Sequence, residues 1–299
     1  MQIFEREQEI IEVAGTFIGG QTGQYPAALM GAIFYAGDRL VAGTNSAEFD
    51  RVKAAQVIQK ADAMCAEVGT PLVLDVICAT PEQARAFIGF ALEVSKRPVL
   101  MDGTTPEVRR AGLDVAAEMG GLDRMIFNAV QDTVKDEELE MVTALGCRNA
   151  VVMLVNSKDP TVKGKLSMAR ELIPRARAAG FKNLILDLAV LDIVDVGTSV
   201  AAIPLLKEEF GLPCGCSPTH THITRWNKAK QYTPKEQAAA RVACATMLQT
   251  AGGDFFMFDI KATEIIPAMA MVDAELAYGA RYFKVKPYGK EHPLYKVFR

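Results

Sequence analysis

Three apolar runs in this chain of 299 residues end in an acidic or amide residue, and each is followed by a helix-like stretch. They are Pro98-Val99-Leu100-Met101-Asp102, Arg124-Met125-Ile126-Phe127-Asn128 and Leu184-Ile185-Leu186-Asp187. A polar side chain at the end of a buried strand is costly unless it finds a partner. A carboxylate accepts two hydrogen bonds side by side, which suits a ring N–H beside an exocyclic amine. An amide both donates and accepts. The set therefore points to a planar, hydrogen-bonding heterocycle held by several strand ends. The alternative for each residue alone is that it caps its own strand-to-helix turn, as Asp and Asn often do. Asp259 ends a fourth such run, Asp254-Phe255-Phe256-Met257-Phe258-Asp259.

The elements that must position these residues alternate regularly. After a glycine-rich stretch with Gly15, Gly19, Gly20 and Gly23, a short apolar run spans Ala32 to Ala36, and a helical stretch runs from about Asp50 to Val68. Strand–helix pairs continue to a last helix over Thr263 to Tyr278, about eight in all, with strands that read as continuous apolar runs suited to a covered parallel sheet. Thr105 before Pro106 predicts a capped helix start. Gly69, Gly120, Gly146, Gly180, Gly211 and Gly252 fall where helices should end in a left-handed residue. The series predicts a (β/α)8 TIM barrel, one domain over residues 1–299 with an N-terminal extension over 1–30. A doubly wound open sheet is the other arrangement the pattern allows. On the barrel reading, Asp102, Asn128, Asp187 and Asp259 end the third, fourth, sixth and eighth strands at one mouth.

Composition narrows the function. The formal charge is −3 and half the residues are hydrophobic. Basic residues form no stripe for nucleic acid, and no apolar run approaches the roughly 20 residues of a membrane helix. The N-terminus lacks the order of a signal peptide, and six scattered cysteines read as reduced, buried thiols of a cytoplasmic protein. After the seventh strand comes Cys214-Gly215-Cys216-Ser217-Pro218-Thr219-His220-Thr221-His222. Its Cys-x-Cys and His-x-His spacings match no standard zinc framework, so no metal is expected. Ser217, Thr219 and His220 suit a loop over the mouth, where Arg225 and Trp226 would flank a flat ligand or an anionic tail, unless Trp226 simply packs the loop.

Ile18-Gly19-Gly20-Gln21-Thr22-Gly23-Gln24-Tyr25-Pro26, followed by Gly31-Ala32-Ile33-Phe34-Tyr35, resembles the start of the H subunit of tetrahydromethanopterin S-methyltransferase. The resemblance continues through Thr80-Pro81-Glu82 and Asp102 to Asn156-Ser157-Lys158-Asp159-Pro160, and covers most of the chain. Within that family the sequence looks especially like the methylcobalamin:tetrahydrofolate methyltransferases of bacterial glycine betaine demethylation. The resemblance implies a pterin-binding TIM barrel, commonly homodimeric, that moves a methyl group from a methylcorrinoid to N5 of tetrahydrofolate in one-carbon metabolism. It also implies an alternative: a tetrahydromethanopterin-linked subunit acting within a larger complex. Corrinoid-binding domains carry Asp-x-His-x-x-Gly, which none of the three histidines here matches, so a partner protein would carry the corrinoid.

The family's pterin ligands carry over to Asp102 in Asp102-Gly103-Thr104-Thr105, to Asn128 and to Asp187. Ser217 matches the Ser of a Gly-x-Ser-Asn segment whose Asn approaches N5. Pro218 replaces that Asn and offers no donor, so the N5 contact does not carry over; His220 or an ordered water is the candidate to take its place. Asp259 and Arg225 complete the expected pterin set. The rival enzymes are a dihydropteroate-synthase-like barrel, which needs a basic diphosphate site, and a zinc-dependent thiol methyltransferase using Cys214 and Cys216. A non-catalytic component of a methyltransferase complex is the rival of another class.

Overall fold

The computed structural model describes residues 1–190, 195–218 and 233–297. Two short strands, β1 (Ile10–Val13) and β2 (Thr16–Gly19), pair as an antiparallel hairpin. Eight parallel strands then close into a barrel: β3 (Ala28–Ile33), β4 (Leu72–Cys78), β5 (Val99–Gly103), β6 (Met125–Val130), β7 (Asn149–Met153), β8 (Asn183–Asp187), β9 (Cys214–Cys216) and β10 (Phe255–Asp259). They are joined in sequence order, with β10 returning to β3, as the (β/α)8 reading predicts.

The helices between them are α1 (Arg51–Val68), α2 (Pro81–Val94), α3 (Pro106–Glu118), α4 (Asp136–Leu145), α5 (Val162–Ala179), α6 (Asp195–Phe210) and α7 (Pro234–Thr250); α8 (Ile265–Ala280) follows β10. Their starts are fixed locally. Thr80 and Thr105 sit in extended backbone and accept hydrogen bonds from Gln83 N and Val108 N, each with proline at the first helical position. The strand-to-helix turns after β4 and β5 are therefore short and fixed, and the strand ends point directly into the mouth. All six glycines expected at helix ends carry a positive φ.

Pleat alternation divides the strands' side chains between two cores. Outward residues such as Leu74, Met101, Phe127, Leu186 and Phe256 pack against the helices. Inward residues Met30, Val73, Leu100, Ile126, Val151, Ile185 and Phe255 fill the barrel. Ile11, Val13 and Ile18 of the hairpin join this inner cluster, so the hairpin plugs the N-terminal end. Burying three such side chains contributes on the order of 1.5–3 kcal/mol each. Lys207 locks the plug in place. Its Nζ lies 2.7 Å from both carboxylate oxygens of Asp254 and 3.2 Å from Gly20 O, while Asp254 accepts from Cys214 N.

Two placements differ from the sequence expectation. The first barrel strand begins at Ala28 rather than Ala32, and the glycine-rich start is ordered around a hairpin turn at Ala14 and Gly15, both with positive φ. Short strands separated by a two-residue turn leave too few apolar positions to show a period. The basic C-terminal segment packs beneath the barrel. Tyr288 stacks on Tyr25 with ring centroids 4.8 Å apart, and Lys296 donates to Ala66 O at the end of α1. No helix among the described residues is long and apolar enough to cross a membrane.

Candidate functional site

Above the inner apolar layer the lumen turns polar. Asp75 follows Val73 by two residues on β4, Asp102 follows Leu100 on β5, Asn128 follows Ile126 on β6 and Asp187 follows Ile185 on β8. The pleat puts each on the same inward face as its apolar predecessor. Asp102 is paired with Asn128 across β5 and β6, and Asp187 with Met153 across β7 and β8. Asp75, Asn128 and Asp187 are all 6% exposed or less. Neither Asp75 Oδ1 nor Asn128 Oδ1 has a hydrogen-bond partner among the described residues. Buried acceptors that face a lumen without a protein partner are positioned to accept from a polar ligand.

Two buried cations hold the strand ends in place. Arg109 on α3 donates to Gly103 O at 2.8 Å, the carbonyl directly after Asp102. Lys165 on α5 donates to Leu188 O, the carbonyl directly after Asp187. Arg109 is itself fixed by a two-pronged pair with Glu138, at 2.6 and 3.0 Å. Gly103 is required here, because an added Cβ would lie 2.6 Å from Arg109 Cγ.

Burial dominates the electrostatics. It pushes the Asp102 carboxyl up to about 6, with Asp187 adding to the rise and Arg109 opposing it. It pushes Asp187 up to about 6 as well, opposed by the Ala189 N–H and by Lys165. Asp75 is raised well above the ordinary carboxylate value by burial and then by both other aspartates. The site is thus a set of acceptors short of positive charge, suited to a neutral ligand edge rich in N–H groups.

The structure brings together Asp102, Asn128 and Asp187, as the sequence predicts. Ser217 follows β9 with its buried Oγ unpartnered among the described residues. Asp259 stands at the rim, where it accepts from the Tyr35 hydroxyl at 2.9 Å and from its own turn through Lys261 N at 3.0 Å. Asp187 likewise caps its own turn, accepting from Ala189 N at 2.8 Å. The capping and lumen roles therefore coexist in one side chain. Thr219, His220, His222, Arg225 and Trp226 lie outside the described residues. His292 sits at the opposite end of the barrel, 2% exposed, its Nδ1 accepting from Leu294 N.

Sequence reasoning missed Asp75, and also Arg109 beside Asp102 and Lys165 near Asp187. Asp75 lies inside the run Leu72–Cys78 rather than at its end. Its signal was the alternation Val73, Asp75, Ile77. The two cysteines of the segment after α6 face the helices: Cys214 and Cys216 are fully buried in the outer core, and burial pushes both thiols up. No cluster of metal-ligating side chains occurs among the described residues. A cavity of about 430 Å³ beside the Asp102 turn is lined by Glu107, Glu137 and Glu138, with Lys135 and the already paired Arg109.

Comparison with known proteins bears on the fold and the family. Dihydropteroate synthase from Stenotrophomonas maltophilia superposes with a TM-score of 0.65 at 18% identity, covering 90% of this chain and 98% of that one. The Xanthomonas albilineans enzyme gives 0.65 at 17%, covering 90% and 99%. This likeness is one of fold. The H subunit of tetrahydromethanopterin S-methyltransferase from Methanosarcina acetivorans is 31% identical, over 98% of this chain and 99% of its own length. Its Methanococcus maripaludis counterpart is 32% identical over the same shares. Residues 6–288 match the family described as tetrahydromethanopterin S-methyltransferase MtrH subunit, and the chain belongs to that family.

Proposed function

We propose that this chain is the pterin-holding component of a methyl transfer between N5 of a reduced pterin and a corrinoid carried by a partner protein. The observation that carries the reading is the lumen itself: aspartates and an asparagine from different strands converge there, with unpartnered acceptors among them. A pterin's ring N–H and exocyclic amine would donate to the carboxylate of Asp102 or Asp187, and Asn128 would complement a neighbouring donor–acceptor pair.

The relatives' names give the pterin as tetrahydromethanopterin. We take that as the substrate in place of the tetrahydrofolate expected from the sequence, which neither relative's name supports. The special likeness to glycine betaine demethylation remains a reading of the sequence. So do the homodimer and the cytoplasmic location, with six free cysteines consistent with the latter.

The corrinoid partner follows from the family resemblance. In that reading the corrinoid is held elsewhere and presented at the mouth. The corrinoid would supply the metal–carbon bond chemistry. This chain would position the ring, keep water from it and hold N5 towards the opening. Arg109 and Lys165 serve that positioning through the carbonyls they hold.

A dihydropteroate-synthase-like reaction needs a cationic seat for diphosphate. The described wall beside Asp102 is acidic instead, and its one arginine is committed to Glu138. The test is turnover with methylcobalamin, or a methylated corrinoid protein, and each pterin in turn, followed optically. Faster transfer with tetrahydromethanopterin than with tetrahydrofolate supports the proposal. Turnover with neither, alongside tight pterin binding, would make the chain a non-catalytic component of its complex.

A further inference from the structure

We propose that Asp75 is the neutral member of the lumen's carboxyl set, holding its proton at neutral pH and donating it in a hydrogen bond to the bound ring, while Asp102 and Asp187 accept as carboxylates. The proposal rests on the pterin reading and assigns Asp75 a role within it. Three carboxyl groups face one lumen from β4, β5 and β8, and like charges in a buried site do not all ionise. The structure distinguishes them. Arg109 stands beside Asp102 and is held at the Gly103 carbonyl. Lys165 stands near Asp187, and the Ala189 N–H donates directly to it. Among the described residues Asp75 has no such support: the charged groups facing it are Asp102 and Asp187, both negative, and its Oδ1 has no partner. It is 3% exposed, so water offers little relief. Of the three, Asp75 is the one whose charged form has no donor or cation beside it among the described residues.

The arrangement answers a chemical need. A reduced pterin presents acceptors, an oxo group and ring nitrogens, as well as N–H donors. Ionised Asp102 and Asp187 can only accept. Among the described lumen residues, Asn128 and Ser217 supply the other donors, and a protonated Asp75 adds a third from the barrel floor. It also spares the site a third negative charge.

The test compares Asp75→Asn, which keeps a donor of the same size but cannot ionise, with Asp75→Ala and Asp102→Asn. Thermal unfolding first confirms that each variant folds. Titration calorimetry with tetrahydromethanopterin at neutral pH should find Asp75→Asn within about 3-fold of the unsubstituted protein, and Asp75→Ala weakened by about 10-fold, the loss of one buried hydrogen bond. The unsubstituted protein should lose affinity on the alkaline side as Asp75 ionises, and Asp75→Asn should not. An infrared difference spectrum between the unsubstituted protein and Asp75→Asn, without ligand, should show the carbonyl band of a protonated carboxylic acid at neutral pH. Absence of that band, or an Asp75→Asn variant as impaired as Asp102→Asn, overturns the assignment. The infrared measurement needs no pterin, so failure to bind pterin would count against the functional reading alone.

Discussion

Asp102 stands opposite Asn128 across the β5–β6 ladder, so a carboxylate and an amide lie side by side on one face of the lumen. The pairing joins a group that only accepts to one that also donates. Asn128→Asp would replace the donor with a second acceptor and set two carboxylates against each other. Affinity for the reduced pterin should then fall at least about 10-fold, read by calorimetry. An unchanged affinity would remove Asn128 from the site.

Binding should also depend on pH in a defined direction. Asp102 and Asp187 titrate at about 6 in the ligand-free protein, and the ring's donors need them ionised. Affinity should therefore weaken as pH falls through 6, by about 10-fold per unit for each proton that must be lost. Titrations near that pH in buffers of different ionisation heat should reveal protons released on binding.

The same carboxyls destabilise the empty protein. The Asp102 value of about 6 lies above its ordinary 3.8, so the folded state binds this proton more tightly than the unfolded chain. Stability from this group is present below the ordinary value and is lost as pH rises through about 6. Asp102→Asn should thus stabilise the ligand-free protein by about 1–3 kcal/mol at about pH 8 and by almost nothing at about pH 4, while binding is lost. Denaturant unfolding at the two pH values checks both halves. A variant destabilised at alkaline pH would show that Asp102 has a cationic partner strong enough to reverse the burial effect.

The strand-end residues were legible in the sequence because β5, β6 and β8 carry their polar group at or near the end of an apolar run, where the contrast is local. Asp75 escaped because apolar residues follow it, and only the pleat shows that Val73 and Asp75 share a face while Leu74 and Val76 do not. Arg109 and Lys165 escaped for a different reason. Each sits on a helix that also carries solvent-facing charges, and only tertiary contact reveals that these two turn inward to a strand carbonyl. The barrel itself was legible because eight apolar runs alternate with capped helices. The hairpin plug was not, since its strands are four residues each.

The Arg109–Glu138 pair is 7% exposed on both sides, and breaking it leaves a buried charge. Arg109→Ala should cost about 3–5 kcal/mol in denaturant unfolding. The double substitution Arg109→Met with Glu138→Leu should recover most of that stability without restoring pterin affinity, because the Gly103 carbonyl loses its anchor either way. Recovery of affinity in the double variant would show that Arg109 does not position Asp102.

If the lumen holds a reduced pterin through its strand-end carboxylates, removing either carboxylate must weaken binding. Titration calorimetry of the unsubstituted protein, Asp102→Ala and Asp187→Ala with tetrahydromethanopterin reads this without any partner protein. Saturable binding to the first is expected, and at least about 10-fold weaker binding to each variant. Equal affinity in all three, or no binding to the unsubstituted protein, would show that the lumen is not the pterin site.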